Sequence, residues 1–122
     1  MANPFVHIEL QTKDIAKAKT FYSQLFGWKL DDLPTPDGGA PYTMINVGEG
    51  TGGGMFMNPD PSVPPHWLAY VGVDDIVVST QKARELGGTI VKDVMEVGDY
   101  GWMSVIIDPT GAAIALWKPK EG

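Results

Sequence analysis

The order strand, helix, three strands runs twice through this chain of 122 residues, and the second run begins 61 positions after the first. Asp14-Ile15 recurs as Asp75-Ile76, Leu25 as Leu86 and Gly27 as Gly88. Later the spacing is 60: Val47 to Met55 matches Ile107 to Ala115 in length, and Pro59 is answered by Pro119. Periodicity predicts a strand near 5–11 and an amphipathic helix from the capping Asp14 to Gly27, with Ile15, Ala18, Tyr22, Leu25 and Phe26 on one face. Strands follow near 28–32, 41–47 and 53–57. The second run predicts a strand at 66–73, a helix from Asp75 to Leu86, and strands near 89–93, 99–107 and 112–118. Two βαβββ units account for this order. The fold class is therefore α+β: a single domain over 1–122, with module one about 1–58, a stiff proline-rich linker at 59–65, and module two about 66–122.

Alternation then sorts each strand into faces. In FVHIELQTKD (5–14), Val6, Ile8 and Leu10 take the face beneath the helix, and Phe5, His7 and Glu9 the other. Trp67, Ala69 and Val71 are expected under the second helix, leaving His66, Leu68 and Tyr70 opposite. Ile45 and Val47, with Val105 and Ile107, are assigned to the helix side. Tyr42, Met44 and Asn46, with Trp102, Ser104 and Ile106, are assigned to the far side, together with Met55, Met57, Ala115 and Trp117. If two four-stranded sheets curl toward each other, this second face lines a cleft. Mostly apolar hollows with a few polar groups suit small molecules.

Composition narrows the partners. A net charge of −6 argues against nucleic acid and anionic membrane surfaces. No apolar run reaches the ~18 residues of a membrane span, and the N-terminal stretch lacks the pattern of a secretion signal, so a cytoplasmic protein is expected. The absence of cysteine excludes disulfides and thiolate chemistry. GEGTGGGM (48–55) lacks the Gly-Lys-Ser/Thr ending and following helix of a phosphate loop and reads as a hairpin turn. DPTG (108–111) reads as a turn as well.

The stretches HIEL…D…A…FY..LFGW (7–28), HWLAYVGVDDI (66–76), ARELGG (83–88) and DPTGAAIALW (108–117) resemble the vicinal oxygen chelate superfamily. That superfamily includes glyoxalase I, bleomycin-resistance proteins and extradiol dioxygenases. The resemblance implies an open, eight-stranded, barrel-like cleft and a homodimer, with Phe26, Trp28 and Trp67 contributing buried contacts. Its metal-dependent members place ligands at four inner-face points. Carried over, these fall on His7, Leu68, Met55 and Ala115, of which His7 alone matches. No cofactor is expected from such a set. A displaced divalent site built from His7, Glu9 and His66 is the alternative.

Two functions follow from the resemblance. One is a metal-independent binder of a small, partly aromatic or apolar molecule, walled by Met44, Asn46, Met55, Met57, His66, Leu68, Tyr70, Trp102, Ser104, Ala115 and Trp117. The other is a glyoxalase-like lyase or dioxygenase acting on a small oxygenated substrate, with His7 and Glu9 moving protons. Histidine titrates near neutrality, and desolvation among Tyr, Trp and Met side chains would raise a carboxyl pKa.

Overall fold

The structure, a computed structural model, describes residues 3–33 and 41–120. Both ends of the range expected for the domain, Met1–Ala2 and Glu121–Gly122, lie outside the described residues. The elements are β1 (Phe5–Thr12), α1 (Ile15–Phe26), β2 (Lys29–Leu33), β3 (Tyr42–Asn46), β4 (Gly53–Met57), β5 (His66–Gly72), α2 (Ile76–Glu85), β6 (Thr89–Val97), β7 (Gly101–Ile107) and β8 (Ala113–Pro119). This is the α+β fold of two βαβββ modules read from the sequence, with β6 running four residues further than expected. Residues 58–65 carry neither helix nor strand. No helix among the described residues is long and apolar enough to cross a membrane.

Residues 7–68 form one compact unit. Its strands lie in the order β2-β3-β4-β1, with β1 parallel to β4 and the other pairs antiparallel. Helix α1 starts where the Asp14 carboxylate accepts from the Lys17 backbone N–H at 3.0 Å, and ends at Gly27 in the left-handed conformation, φ 71°. Its inner face covers a core of Leu10, Ile45 and Met55, with Ile15, Ala18, Tyr22, Trp28, Leu30 and Val47 packed around it. A polar thread ties helix to sheet. The fully buried Thr43 donates to Asp32 at 2.6 Å, and Asp32 pairs with Lys19 of α1 at 2.7 Å. The Lys19 ammonium, and then the Thr43 hydroxyl, hold the Asp32 carboxyl below its usual range.

Residues 3–6 and 69–120 form the other unit, with strand order β5-β8-β7-β6 and β5 parallel to β8. Asp75 caps α2 by accepting from Val78 N–H at 3.1 Å. The left-handed residue after α2 is Gly87, φ 98°, one place before the Gly88 that the repeat singles out, because this helix ends two residues earlier in the repeat, with its cap at Leu86. Pro4 and Asn3 grip Gly72 from both sides: its N–H donates to the Pro4 carbonyl and its carbonyl accepts from the Asn3 amide, each at 2.9 Å.

Strand register corrects part of the face assignment. Glu9 stands opposite Gly54, and Tyr70 opposite Ala115; Met44 stands opposite Gly54, and Val105 opposite Ala115. The repeat is therefore 61 throughout, and the spacing of 60 in its later half is one residue out of step. A slip of one residue moves every side chain of a strand to the other face. Met55 consequently belongs to the core beside Leu10, and Met57, opposite Thr12, shares that face. Ser104 faces α2, where its hydroxyl meets that of Thr80 at 2.8 Å with both residues buried. Trp102 and Ile106 share its side by alternation, and the Lys120 ammonium lies 5.4 Å over the Trp102 ring. Val105 and Ile107 take the opposite side, with Met103, whose sulfur accepts from the Tyr70 hydroxyl at 3.9 Å. Two further residues change places. Trp67 packs edge-on against Tyr22 and Trp28, not under α2, and Val6 belongs with Gly72 in the other unit.

The Thr80–Ser104 pair yields a measurable consequence. Thr80→Val or Ser104→Ala leaves one buried hydroxyl without its partner and is expected to cost about 1–2 kcal/mol in urea unfolding. The double variant removes both polar groups and should cost less than the two single changes added together. Additive losses would show that the pair is not coupled.

Candidate functional site

On β1, the side chains of His7, Glu9 and Gln11 alternate onto the face away from α1, and a directed chain of hydrogen bonds joins them. The Tyr42 hydroxyl donates to Glu9 Oε1 at 3.0 Å. Its single proton is thereby used, so the 2.7 Å contact between His7 Nε2 and Tyr42 Oη has histidine as donor. From the other side, Gln11 Nε2 donates to Glu9 Oε2 at 2.9 Å, and Asn58 Nδ2 donates to Gln11 Oε1 at 2.7 Å. The chain converges from both ends on Glu9, which is 5 % exposed.

The backbone is shaped to permit this. Tyr42 leaves β3 and lies over Gly54 of β4, where a Cβ would collide with its ring and hydroxyl. Phe56, two residues along the same face, flanks it with ring centroids 6.4 Å apart. Asn58 follows β4 directly before the proline-rich linker, which Lys13 holds by donating to the Asn58 carbonyl at 3.0 Å and to that of Asp60. Asp60 in turn accepts from the backbone and hydroxyl of Ser62, closing a tight turn.

The remaining expected site residues are distributed more widely. Met44 lies on the His7 face, opposite Gly54. With Asn46, Lys29, Asp31, Val47 and Gly50 it lines an open hollow of about 410 Å³. Asn46 also accepts from Gly48 N–H in the turn that follows. Leu68, Tyr70 and Ala115 are buried, and Trp117 packs edge-on to Tyr70 at 6.4 Å. Met55, Ser104 and Trp102 lie on the helix side of their sheets, as described above. His66 Nδ1 donates to the Pro64 carbonyl at 2.8 Å. Four participants were not singled out from sequence: Gln11, Tyr42, Phe56 and Asn58. Gln11 continues the odd-numbered series of β1 and could have been found from it. Tyr42 was given the correct face without a role. Phe56 was hidden by the slipped register, and Asn58 borders a linker without periodicity.

The residues do not fit the metal of the metal-dependent relatives. With the repeat at 61, the four positions carried over from the resemblance fall on His7, Leu68, Gly54 and Ala115, so glycine replaces the Met55 assigned from sequence. Three of the four offer no donor atom from a side chain. His7, Glu9 and His66 do not make up the displaced set either: no three His, Asp or Glu side chains among the described residues gather as a metal-holding group.

The doubled βαβββ fold has its counterpart in a known superfamily. The chain belongs to the Glyoxalase/Bleomycin resistance protein/Dioxygenase superfamily, whose family model matches residues 5–116. It is 42% identical over 117 residues to "Putative glyoxylase CFP32" of Mycobacterium tuberculosis, covering 93% of this chain and 45% of that protein. It is 28% identical over 128 residues to "Anthracycline biosynthesis protein DnrV" of Streptomyces peucetius, covering 90% of this chain and 45% of that one. The chain thus spans less than half the length of these relatives. Among solved structures, a hypothetical protein from Bacillus halodurans superposes with a TM-score of 0.76 at 18% identity, covering 100% of this chain and 98% of that one. Methylmalonyl-CoA epimerase from Mycobacterium tuberculosis does so with 0.72 at 17% identity, covering 96% and 88%. These two likenesses concern the fold.

Two measurements probe the network. Tyr42→Phe removes the donor to a buried carboxylate and the acceptor of His7 together, and is expected to lower stability by about 1–3 kcal/mol in urea unfolding. A change near zero would mean that solvent replaces the hydroxyl. Burial also holds the His7 pKa below its ordinary 6.5. Above 6.5 the ring is neutral in both folded and unfolded chains. As pH falls from there to the lowered folded value, the unfolded chain binds the proton first, so stability is lost across that interval and levels off below it. Subtracting the pH profile of His7→Gln from that of the wild type should isolate this loss. Parallel profiles would refute it.

Proposed function

We propose that this protein binds a small, partly aromatic or apolar molecule against the His7–Tyr42–Glu9 face of β1, β3 and β4, without the family's four-point metal. The observation that carries this reading is the closed hydrogen-bond chain ending on buried Glu9. It offers oriented polar groups beside the apolar surfaces of Phe56 and Met44, with Glu9 Oε1 and Oε2 each accepting from a neutral donor. Apolar walls with a few fixed polar groups are the usual composition of small-molecule sites. Kinship with an anthracycline biosynthesis protein supports a ligand with a planar ring system. The cytoplasmic location expected from the sequence pattern, and the two copies acting together that the family resemblance implies, belong to the same proposal.

A second reading has one observation in its favour. The relative at 42% identity bears a glyoxylase name, which favours a glyoxalase-like lyase or dioxygenase with His7 and Glu9 as proton-transfer groups. A neutral, buried imidazole linked through a phenol to a carboxylate suits proton abstraction from a carbon beside a carbonyl.

A titration distinguishes the two. With chelator present, 2-naphthol should bind with a dissociation constant below ~1 mM, and Gly54→Ala, whose methyl displaces the Tyr42 ring, should weaken it at least ~10-fold. Zinc or nickel alone should show no site tighter than ~10 μM. Naphthol binding only in the presence of a divalent ion, or a tight one-site metal titration abolished by His7→Ala, would favour the second reading over the first.

A further inference from the structure

The helix side of module one carries an aromatic patch that module two lacks. Tyr22 makes ring contacts with Phe21 at 5.0 Å, Trp67 at 5.4 Å, Trp28 at 5.6 Å and Phe26 at 6.2 Å, all within residues 7–68. Phe21 and Phe26 are each 57% exposed, Leu25 56% and Trp67 40%. Sixty-one positions on, the residues equivalent to Phe21, Tyr22, Phe26 and Trp28 are Lys82, Ala83, Gly87 and Thr89. Helix α2 packs on its own sheet without aromatic rings at those positions, so the βαβββ fold does not require them. Their exposure needs another explanation.

Size and charge identify the occupant. The exposed parts of these side chains amount to roughly 450 Å² of apolar surface. A stable interface buries ~800 Å² per partner with a little over half of it apolar, so the patch is the size of the apolar part of an ordinary dimer interface. The whole chain carries −6, which opposes self-association. Yet α1, IAKAKTFYSQLF, contains two lysines and no acidic residue. Two copies meeting on this helix bring together no carboxylate of α1 itself. Beside it, Trp28, Trp67, Ile8, Val47, Gly52 and Gly53 line a hollow of about 250 Å³, concave enough to receive a side chain.

We infer that the outer face of α1, together with Trp67, is where a second copy of this chain docks, through a two-fold contact of like patch on like patch. This rests on the proposal of two copies acting together and deepens it by assigning the face. Sedimentation of the wild type should give twice the chain mass of 13.2 kDa at tens of micromolar. Raising salt from about 0.05 to about 0.5 M should tighten association, because the contact is apolar and the repulsion between copies is screened. Phe21→Glu, at the rim of the patch, should weaken association at least ~10-fold at neutral pH, because each copy then brings a carboxylate into an apolar contact. Leu86→Glu, 70% exposed at the end of α2, should leave it unchanged. If Phe21→Glu fails to fold by circular dichroism, Leu25→Lys takes its place. A wild-type monomer overturns both the assembly and the face. A wild-type dimer untouched by Phe21→Glu, or loosened by salt, leaves the assembly standing and overturns the face alone.

Discussion

The hydrogen-bond chain around Glu9 depends on how closely β4 runs beside β1. Ile8 donates its N–H to the Gly52 carbonyl at 3.1 Å, and a Cβ on Gly53 would collide with the Ile8 carbonyl oxygen. Only glycine allows that approach. The register it fixes brings Gly54 opposite Glu9, and the missing side chain at Gly54 opens the space across which Tyr42 reaches. Two consecutive glycines thus serve two faces of one strand. The first admits the neighbouring backbone and the second admits a phenol. Gly53 and Gly54 are better understood from these contacts than from their place after a glycine-rich turn.

The two modules solve the same packing problem with different chemistry. Thr43 and Ser104 occupy equivalent positions on the middle strands, both fully buried and both aimed at the covering helix. In module one the hydroxyl donates to Asp32, which carries a charged tie to Lys19; in module two it meets the neutral Thr80 hydroxyl. On the opposite faces the contrast widens. Where module one sets Glu9 against Gly54, module two sets Tyr70 against Ala115 and fills the space with Trp117 and Met103. One frame therefore carries a hydrogen-bonded carboxylate in its first half and an apolar aromatic surface in its second.

Much of this was legible in the chain. Helix limits follow from Asp14, Gly27 and Asp75, whose capping is a local property of a few residues. His7 and Glu9 fall on the correct face because β1 alternates cleanly. What failed was a single residue of register. Matching Pro59 with Pro119 and Met55 with Ala115 put the later strands one step out, and a period of two converts that step into inversion of β4 and β7. Met55, Ser104 and Trp102 were misplaced for this one reason, and Phe56 was missed for it. Strand pairing is set by long-range contacts such as Gly53 with Ile8, and short motif matches do not encode these. The exchange of Val6 and Trp67 between units was hidden for a similar cause, since alternation gives a face but not the helix above it.

The network also explains how a chain can keep the superfamily's histidine while lacking its partners. A carboxylate buried as deeply as Glu9 is costly unless donors surround it. Here neutral donors, Tyr42 and Gln11, supply that stabilisation. Their arrangement assigns the protons: Tyr42 gives its only one to Glu9, so His7 Nε2 must keep its own to donate to Tyr42. A ring nitrogen that holds a proton cannot ligate a cation, and stripping that proton would leave the phenol oxygen without its donor. The hydrogen-bond chain and a metal at His7 Nε2 are thus mutually exclusive uses of the same atom. Leucine, glycine and alanine at the other three points leave the chain of donors as the arrangement these residues can satisfy.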